Sequence, residues 1–164
     1  MSAGGVALRP LTPEDAAACD AIVASLPYHF GDEEGRAMCA RAVRSSPGLV
    51  ADADGEVVGF VTWKRWYGSS VEVTWMAVQA TRRRQGVGGR LIEELARSVA
   101  GEARFLVVTT LSEATPEPDE PDSYAGTRAF YRSHGFEPVW EPAGWWNDRN
   151  QAVLMVRALG SMRA

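Results

Sequence analysis

Residues Arg83-Arg84-Gln85-Gly86-Val87-Gly88-Gly89-Arg90 put three glycines and three arginines between an extended segment and an amphipathic one. Glycine lets a ligand approach the backbone closely, and the first amides of a helix have no acceptor inside it. Aligned peptide dipoles add partial positive charge at the same point. Such a turn binds an anion, and the arginines around it suit a diphosphate group. The run lacks the Gly-Lys-Ser or Gly-Lys-Thr ending of nucleotide-hydrolysing loops, and Leu91 stands where a dinucleotide fingerprint has its third glycine. The plainer alternative is a flexible turn carrying solvated charge.

Two polar side chains stand out on the flanking elements. In residues 71–78 alternation puts Glu72, Thr74, Met76 and Val78 on one face and Val71, Val73, Trp75 and Ala77 on the other. One acid therefore points into a mostly apolar row. Tyr131 lies in the helical stretch that closes at Ser133-His134-Gly135, where Gly135 suits the left-handed position past a helix end. As purely structural groups, Glu72 would be an exposed or paired strand carboxylate and Tyr131 a core aromatic beside Phe130.

The elements that must position these groups follow from pattern. Residues 6–9 form a short strand, and Thr12-Pro13-Glu14-Asp15 is a helix start with its cap, proline and acids in place. Cys19, Ile22, Val23 and Leu26 recur at helical spacing up to Pro27, and a second helix covers about 32–45. Residues 49–53 and 56–64 make a hairpin through Asp54-Gly55, and a turn at 67–70 precedes the strand at 71–78. Val87, Leu91, Leu95 and Val99 stripe a helix to about residue 100, and residues 104–111 read as a buried central strand. The helix between them makes a right-handed crossover, so the strands at 71–78 and 104–111, fourth and fifth in the chain, run parallel and adjacent. Residues 136–140 and 151–158 are a final strand pair. The class is α/β, with a mixed and mostly antiparallel sheet and helices on both faces, in a single domain over residues 1–164.

Composition bounds the partners. The 164 residues are 46% hydrophobic and 23% charged, ordinary for a globular chain, with a net charge of -4. That balance disfavours nucleic acid and anionic membrane as partners and suits a cationic guest. No signal segment or long apolar run is visible, which points to the cytoplasm. Cys19 and Cys39 have neither paired spacing nor a histidine cluster beside them, so they are expected to be reduced and buried, and no metal site is expected.

Arg83 to Gly88 matches the signature of the GNAT superfamily, which has Arg or Gln, two residues, Gly, one residue, then Gly or Ala, opening the helix after the fourth strand. Ala129-Phe130-Tyr131-Arg132-Ser133-His134-Gly135-Phe136 matches that family's Tyr-x-x-x-Gly-Phe element. The chain thus resembles GNAT N-acetyltransferases over most of its length. Departures are Tyr124 and Thr127, where the family often has Asn and Ala, and Ala80, where it often has proline.

The resemblance implies acetyl-coenzyme A as cosubstrate. The amides and side chains of Arg83, Arg84, Gln85, Gly86, Val87, Gly88, Gly89 and Arg90 would hold its pyrophosphate. The main chain of Met76, Ala77 and Val78 would pair with the pantetheine arm, where the fourth and fifth strands splay. Tyr131 becomes the general acid, and Glu72, six residues before Val78, the general base or the holder of a water. Transfer to a primary amine by direct attack in a ternary complex is the expected activity, with a non-catalytic acyl-coenzyme A sensor as the alternative. The acceptor is a small-molecule or protein amine, and a homodimer is left open. Tyr28, Phe30, Trp66, Tyr67, Trp145 and Trp146 are expected to wall the acceptor or cover core edges, and the acids of 117–122 to steer a cationic amine or to be a solvated loop.

Overall fold

The computed structural model describes residues 5–115 and 124–160. One buried carboxylate organises its beginning. β1 (Val6–Pro10) passes through Thr12 into a 3-10 turn, Pro13–Asp15, and then α1 (Ala16–Ala24). Asp15 accepts from the Thr12 amide at 2.9 Å and the Thr12 hydroxyl at 3.1 Å, closing the helix start. It also takes two nitrogens of Arg9, at 2.9 and 2.8 Å, while Arg9 Nε reaches Asp52 at 3.1 Å.

The Arg9 guanidinium, helped by the Thr12 donors, lowers the Asp15 carboxyl from its ordinary 3.8 to about 2. The unfolded chain therefore binds this proton more readily than the folded one. The resulting stabilisation is complete above the ordinary value and is lost as pH falls through about 2. It amounts to roughly 2 kcal/mol. Asp15→Asn is expected to lose about that much at neutral pH and to flatten the acid arm of the stability curve, read by urea unfolding across an acid-to-neutral pH series. An acid slope identical to that of the parent protein would remove Asp15 from this role.

α2 (Glu33–Ser45) begins at Asp32, whose carboxylate accepts the Gly35 amide at 2.9 Å. Cys19, Ile22, Val23 and Leu26 meet Cys39 and Val43 of α2 in one core with Val50, Val57, Phe60 and Ala77. Both cysteines are buried and free. Burial pushes their thiols up to about 12, which keeps them protonated and unreactive at neutral pH.

β2 (Gly48–Ala53) and β3 (Glu56–Tyr67) form the expected hairpin. Asp54 and Gly55 have φ of 54° and 92°, the pair of left-handed residues that a two-residue hairpin turn requires. β3 continues three residues beyond the expected end, so the next turn shrinks to Gly68-Ser69 and Trp66 and Tyr67 lie on a strand, not in a loop. The remaining elements are β4 (Ser70–Val78), α3 (Val87–Val99), β5 (Phe105–Leu111), α4 (Ala125–Ser133), β6 (Glu137–Trp140) and β7 (Ala152–Ala158).

The sheet order is β1-β2-β3-β4-β5-β7-β6, with β4 and β5 parallel and the other pairs antiparallel. This is the mixed α/β sheet that pattern and crossover imply. β7 lies between β5 and β6 and pairs antiparallel with each. That leaves β6 as an edge strand, a place where Pro138 is tolerated. One compact unit holds the chain up to Lys64 together with Val73–Val99, and a second holds Arg65–Glu72 together with the chain from Ala100 onward. Among the described residues no helix is long and apolar enough to cross a membrane.

Candidate functional site

In the first unit, Met76, Ala77 and Val78 close β4, with Ala77 buried and its neighbours half-buried. The strand end is pinned by Gln79. Its amide donates to the Val58 carbonyl at 2.9 Å, and its side-chain nitrogen reaches Glu56 at 3.0 Å. A 3-10 turn, Ala80–Arg82, follows. The chain then reverses through Arg84 and Gly86, whose φ values are 62° and 78°. Left-handed residues in a turn of this kind can aim neighbouring amides inward, toward an anion.

The Gly86 carbonyl accepts the Arg90 amide at 3.0 Å, so α3 is hydrogen-bonded from its first turn. The amides of Val87, Gly88 and Gly89 are then the ones helix geometry leaves for a ligand. Arg83, Arg84, Gln85 and Arg90 are exposed, and Gln85 donates to the Thr81 carbonyl at 3.1 Å. Backbone donors, a helix dipole and three solvent-facing guanidinium groups fit a diphosphate.

Sequence pattern gave no role to Gly59 of β3. A Cβ there would stand 3.2 Å from the Ala77 carbonyl, 3.2 Å from Val87 Cγ1 and 3.3 Å from Val78 Cγ2. At Gly59, therefore, β3, the end of β4 and the first residue of α3 leave little room for a side chain. Gly59→Ala is expected to cost ~1–3 kcal/mol of stability and to weaken binding at the turn, because Val87 must move. A thermal melt paired with a coenzyme A titration checks this, and an unshifted melt with unchanged affinity would contradict it.

In the second unit, Glu72 is half-buried within β4, on the face opposite that of its buried chain neighbour Val71. Tyr131 is 5% exposed on α4. Its ring meets Phe130 and Phe136 edge-on, with centroids 5.2 and 5.3 Å apart. Burial, and to a lesser degree the neighbouring Tyr124, raises the Tyr131 phenol above the usual tyrosine range. It therefore stays protonated at any physiological pH. Gly135, with φ of 84°, ends this helix as the pattern predicts.

Among the aromatics, Tyr28, Trp66, Tyr67, Trp145 and Trp146 are exposed, whereas Phe30 covers a core edge and faces Trp75 at 6.1 Å. Trp145 also meets Trp140 at 5.5 Å, a contact spacing alone does not reveal. The acidic stretch 117–122 lies outside the described residues. Among the described residues no cluster of His, Cys, Asp and Glu is arranged to hold a metal ion.

The second residue missed from sequence is Arg128, 3% exposed on α4. Its only signal was a position one helical turn before Tyr131.

A crossover helix opening on a glycine- and arginine-rich anion turn, within a mixed sheet, defines the class of α/β domain. Residues 44–138, more than half of the chain, match the acetyltransferase (GNAT) domain, and the chain belongs to the GNAT acetyltransferase family. It is similar to a candidate GNAT-family acetyltransferase from Desulfovibrio desulfuricans, at 20% identity and a TM-score of 0.82, over 95% of this chain and 100% of that one. It is similar to the ribosomal-protein-S18-alanine N-acetyltransferase from Escherichia coli, at 18% identity and a TM-score of 0.75, over 98% and 97% of the two chains. A GNAT family acetyltransferase from Elizabethkingia anophelis with acetyl-CoA bound shares 18% identity and a TM-score of 0.67, over 94% and 98%. At these identities the likeness carries the fold. No curated protein sequence matches the chain.

Proposed function

We propose that the chain is an N-acetyltransferase that moves the acetyl group of acetyl-coenzyme A to a primary amine by direct attack in a ternary complex. The observation that carries this is the turn at 83–90, with left-handed Arg84 and Gly86 at the opening of α3. It lies inside the stretch that matches the GNAT domain. Residues Arg83 to Arg90 hold the pyrophosphate, and the main chain of Met76 to Val78 pairs with the pantetheine arm.

Acetyl-coenzyme A supplies an activated thioester carbon. A primary ammonium has a pKa near ~10 and must lose a proton before its lone pair can attack. Glu72 takes that proton, directly or through a water. A backbone amide near Val78 faces the negative charge that develops on the acetyl oxygen. Tyr131 donates to the departing thiolate. The carbon–sulfur bond breaks as the carbon–nitrogen bond forms, and no acyl group is parked on the protein. Glu72→Gln is expected to lower kcat roughly a hundredfold with the KM for acetyl-coenzyme A nearly unchanged; parental kcat in that variant would exclude Glu72 as the base.

The acceptor is a small-molecule or protein amine, in keeping with the net charge of -4, and the cytoplasm is the compartment where acetyl-coenzyme A would meet it. Free thiol release from acetyl-coenzyme A, measured against amino acids, polyamines, amino sugars and peptide amines, tests the proposal. One amine class should give turnover with intersecting kinetics; parallel, ping-pong lines would overturn direct transfer. Cofactor binding with no turnover on any amine would instead indicate an acyl-coenzyme A sensor.

A further inference from the structure

α4 has nine residues, Ala125–Ser133, too few to be a stable helix on its own. Its placement must come from what it buries. Its buried residues are Arg128 and Tyr131, three residues apart and so on one face. A guanidinium taken out of water is costly unless its donors are matched. Arg128 Nη1 donates to the Leu111 carbonyl at 2.8 Å, and Arg128 Nε lies 3.7 Å from Glu113 Oε1. Glu113 also meets Arg132 Nη1 at 3.3 Å.

The segment Arg128 grips is itself fixed. Leu111 is the last residue of β5. Ser112, 2% exposed, donates its amide to the Gln151 carbonyl at 2.8 Å and its hydroxyl to Glu141 at 2.9 Å. That hydroxyl also accepts the Ala114 amide at 3.1 Å. Apolar packing alone would let a short helix slide or rotate over its support, because such contacts have no direction. A guanidinium bonded to one carbonyl and facing one carboxylate has a single orientation.

The geometry points to Arg128 as a positioning residue for Tyr131, holding α4 in one rotation and register on the end of β5. This rests on the proposed donor role of Tyr131. Displacing a reacting group by about 1 Å can cost roughly a hundredfold in rate, so loss of Arg128 should act on kcat through Tyr131.

The test compares Arg128→Met, Arg128→Lys, Tyr131→Phe and the Arg128→Met/Tyr131→Phe double variant, with the best amine from the panel and with hydrogen exchange on 125–133. Arg128→Met should lower kcat at least roughly tenfold, leave the KM for acetyl-coenzyme A within about twofold, and speed exchange in 125–133. Arg128→Lys should recover part of the rate. The double variant should be no slower than Tyr131→Phe. Full kcat in Arg128→Met with Tyr131→Phe impaired, or the same loss repeated in the Tyr131→Phe background, overturns the positioning role alone. A fully active Tyr131→Phe rejects the donor assignment, and with it this dependent step. If Arg128→Met does not fold, Arg128→Lys decides on the same criteria: unchanged rate and exchange overturn the role, and a partial loss confined to kcat supports it.

Discussion

Gly86→Val is expected to raise the KM for acetyl-coenzyme A roughly ten- to a hundredfold while leaving kcat at saturation within about threefold. The reason is conformational. Gly86 holds φ at 78°, a region that costs an L-residue ~1–2 kcal/mol and a β-branched one more. Valine relieves that strain by turning the peptide, and the amides on either side leave the orientation that meets the phosphates, each lost bond weakening binding by a further ~1 kcal/mol. No atom outside the adjoining residues comes within 4 Å of a Cβ at this position, so crowding is not the cause and the melting temperature should fall by only a few degrees. Calorimetry with coenzyme A and a thermal melt separate the two effects. Unchanged affinity in a folded Gly86→Val protein would refute the turn as the phosphate site.

Tyr131→Phe should lower kcat by ~10²–10⁴-fold, the range for losing a positioned proton donor, with the KM for acetyl-coenzyme A nearly unchanged. The ring contacts with Phe130 and Phe136 survive the substitution, so stability should change by no more than ~1 kcal/mol. The sign of the phenol's shift also makes a prediction about pH. Burial raises its pKa, so Tyr131 remains a donor at every pH up to about 10, tyrosine's ordinary value, and contributes no alkaline limb below it. Tyr131 gives its proton to the departing sulfur as charge develops there, and the second proton that the amine nitrogen sheds on forming the amide restores the phenol. A Tyr131→Phe enzyme with parental kcat would reject the assignment outright.

The parts of the protein that pattern alone exposed are local ones. Asp54-Gly55 makes its hairpin because the two left-handed residues are adjacent in the chain. Gly135 ends α4, and Asp32 starts α2, for reasons confined to one helical turn. The glycine–arginine run after Val78 is equally local, since strand end, turn and helix start occupy about a dozen consecutive residues. For the same reason the crossover, and with it the parallel β4 and β5, could be reasoned from element order.

The places of Glu72 in β4 and Tyr131 on α4, the turn at 83–90 and the order of elements were thus set by short-range sequence, where backbone geometry and side-chain period leave few choices. Tertiary structure alone decided the partners that are distant along the chain. It placed β7 between β5 and β6, brought Gly59 against Ala77, Val78 and Val87, and joined Arg9 to Asp52, 43 residues away. It also buried Arg128 against Leu111, 17 residues earlier. No local rule specifies these contacts, because a charged residue at helical spacing is indistinguishable from a solvated one until the strand it faces is known. Close packing then fixes which carbonyl, carboxylate or bare backbone atom lies within reach.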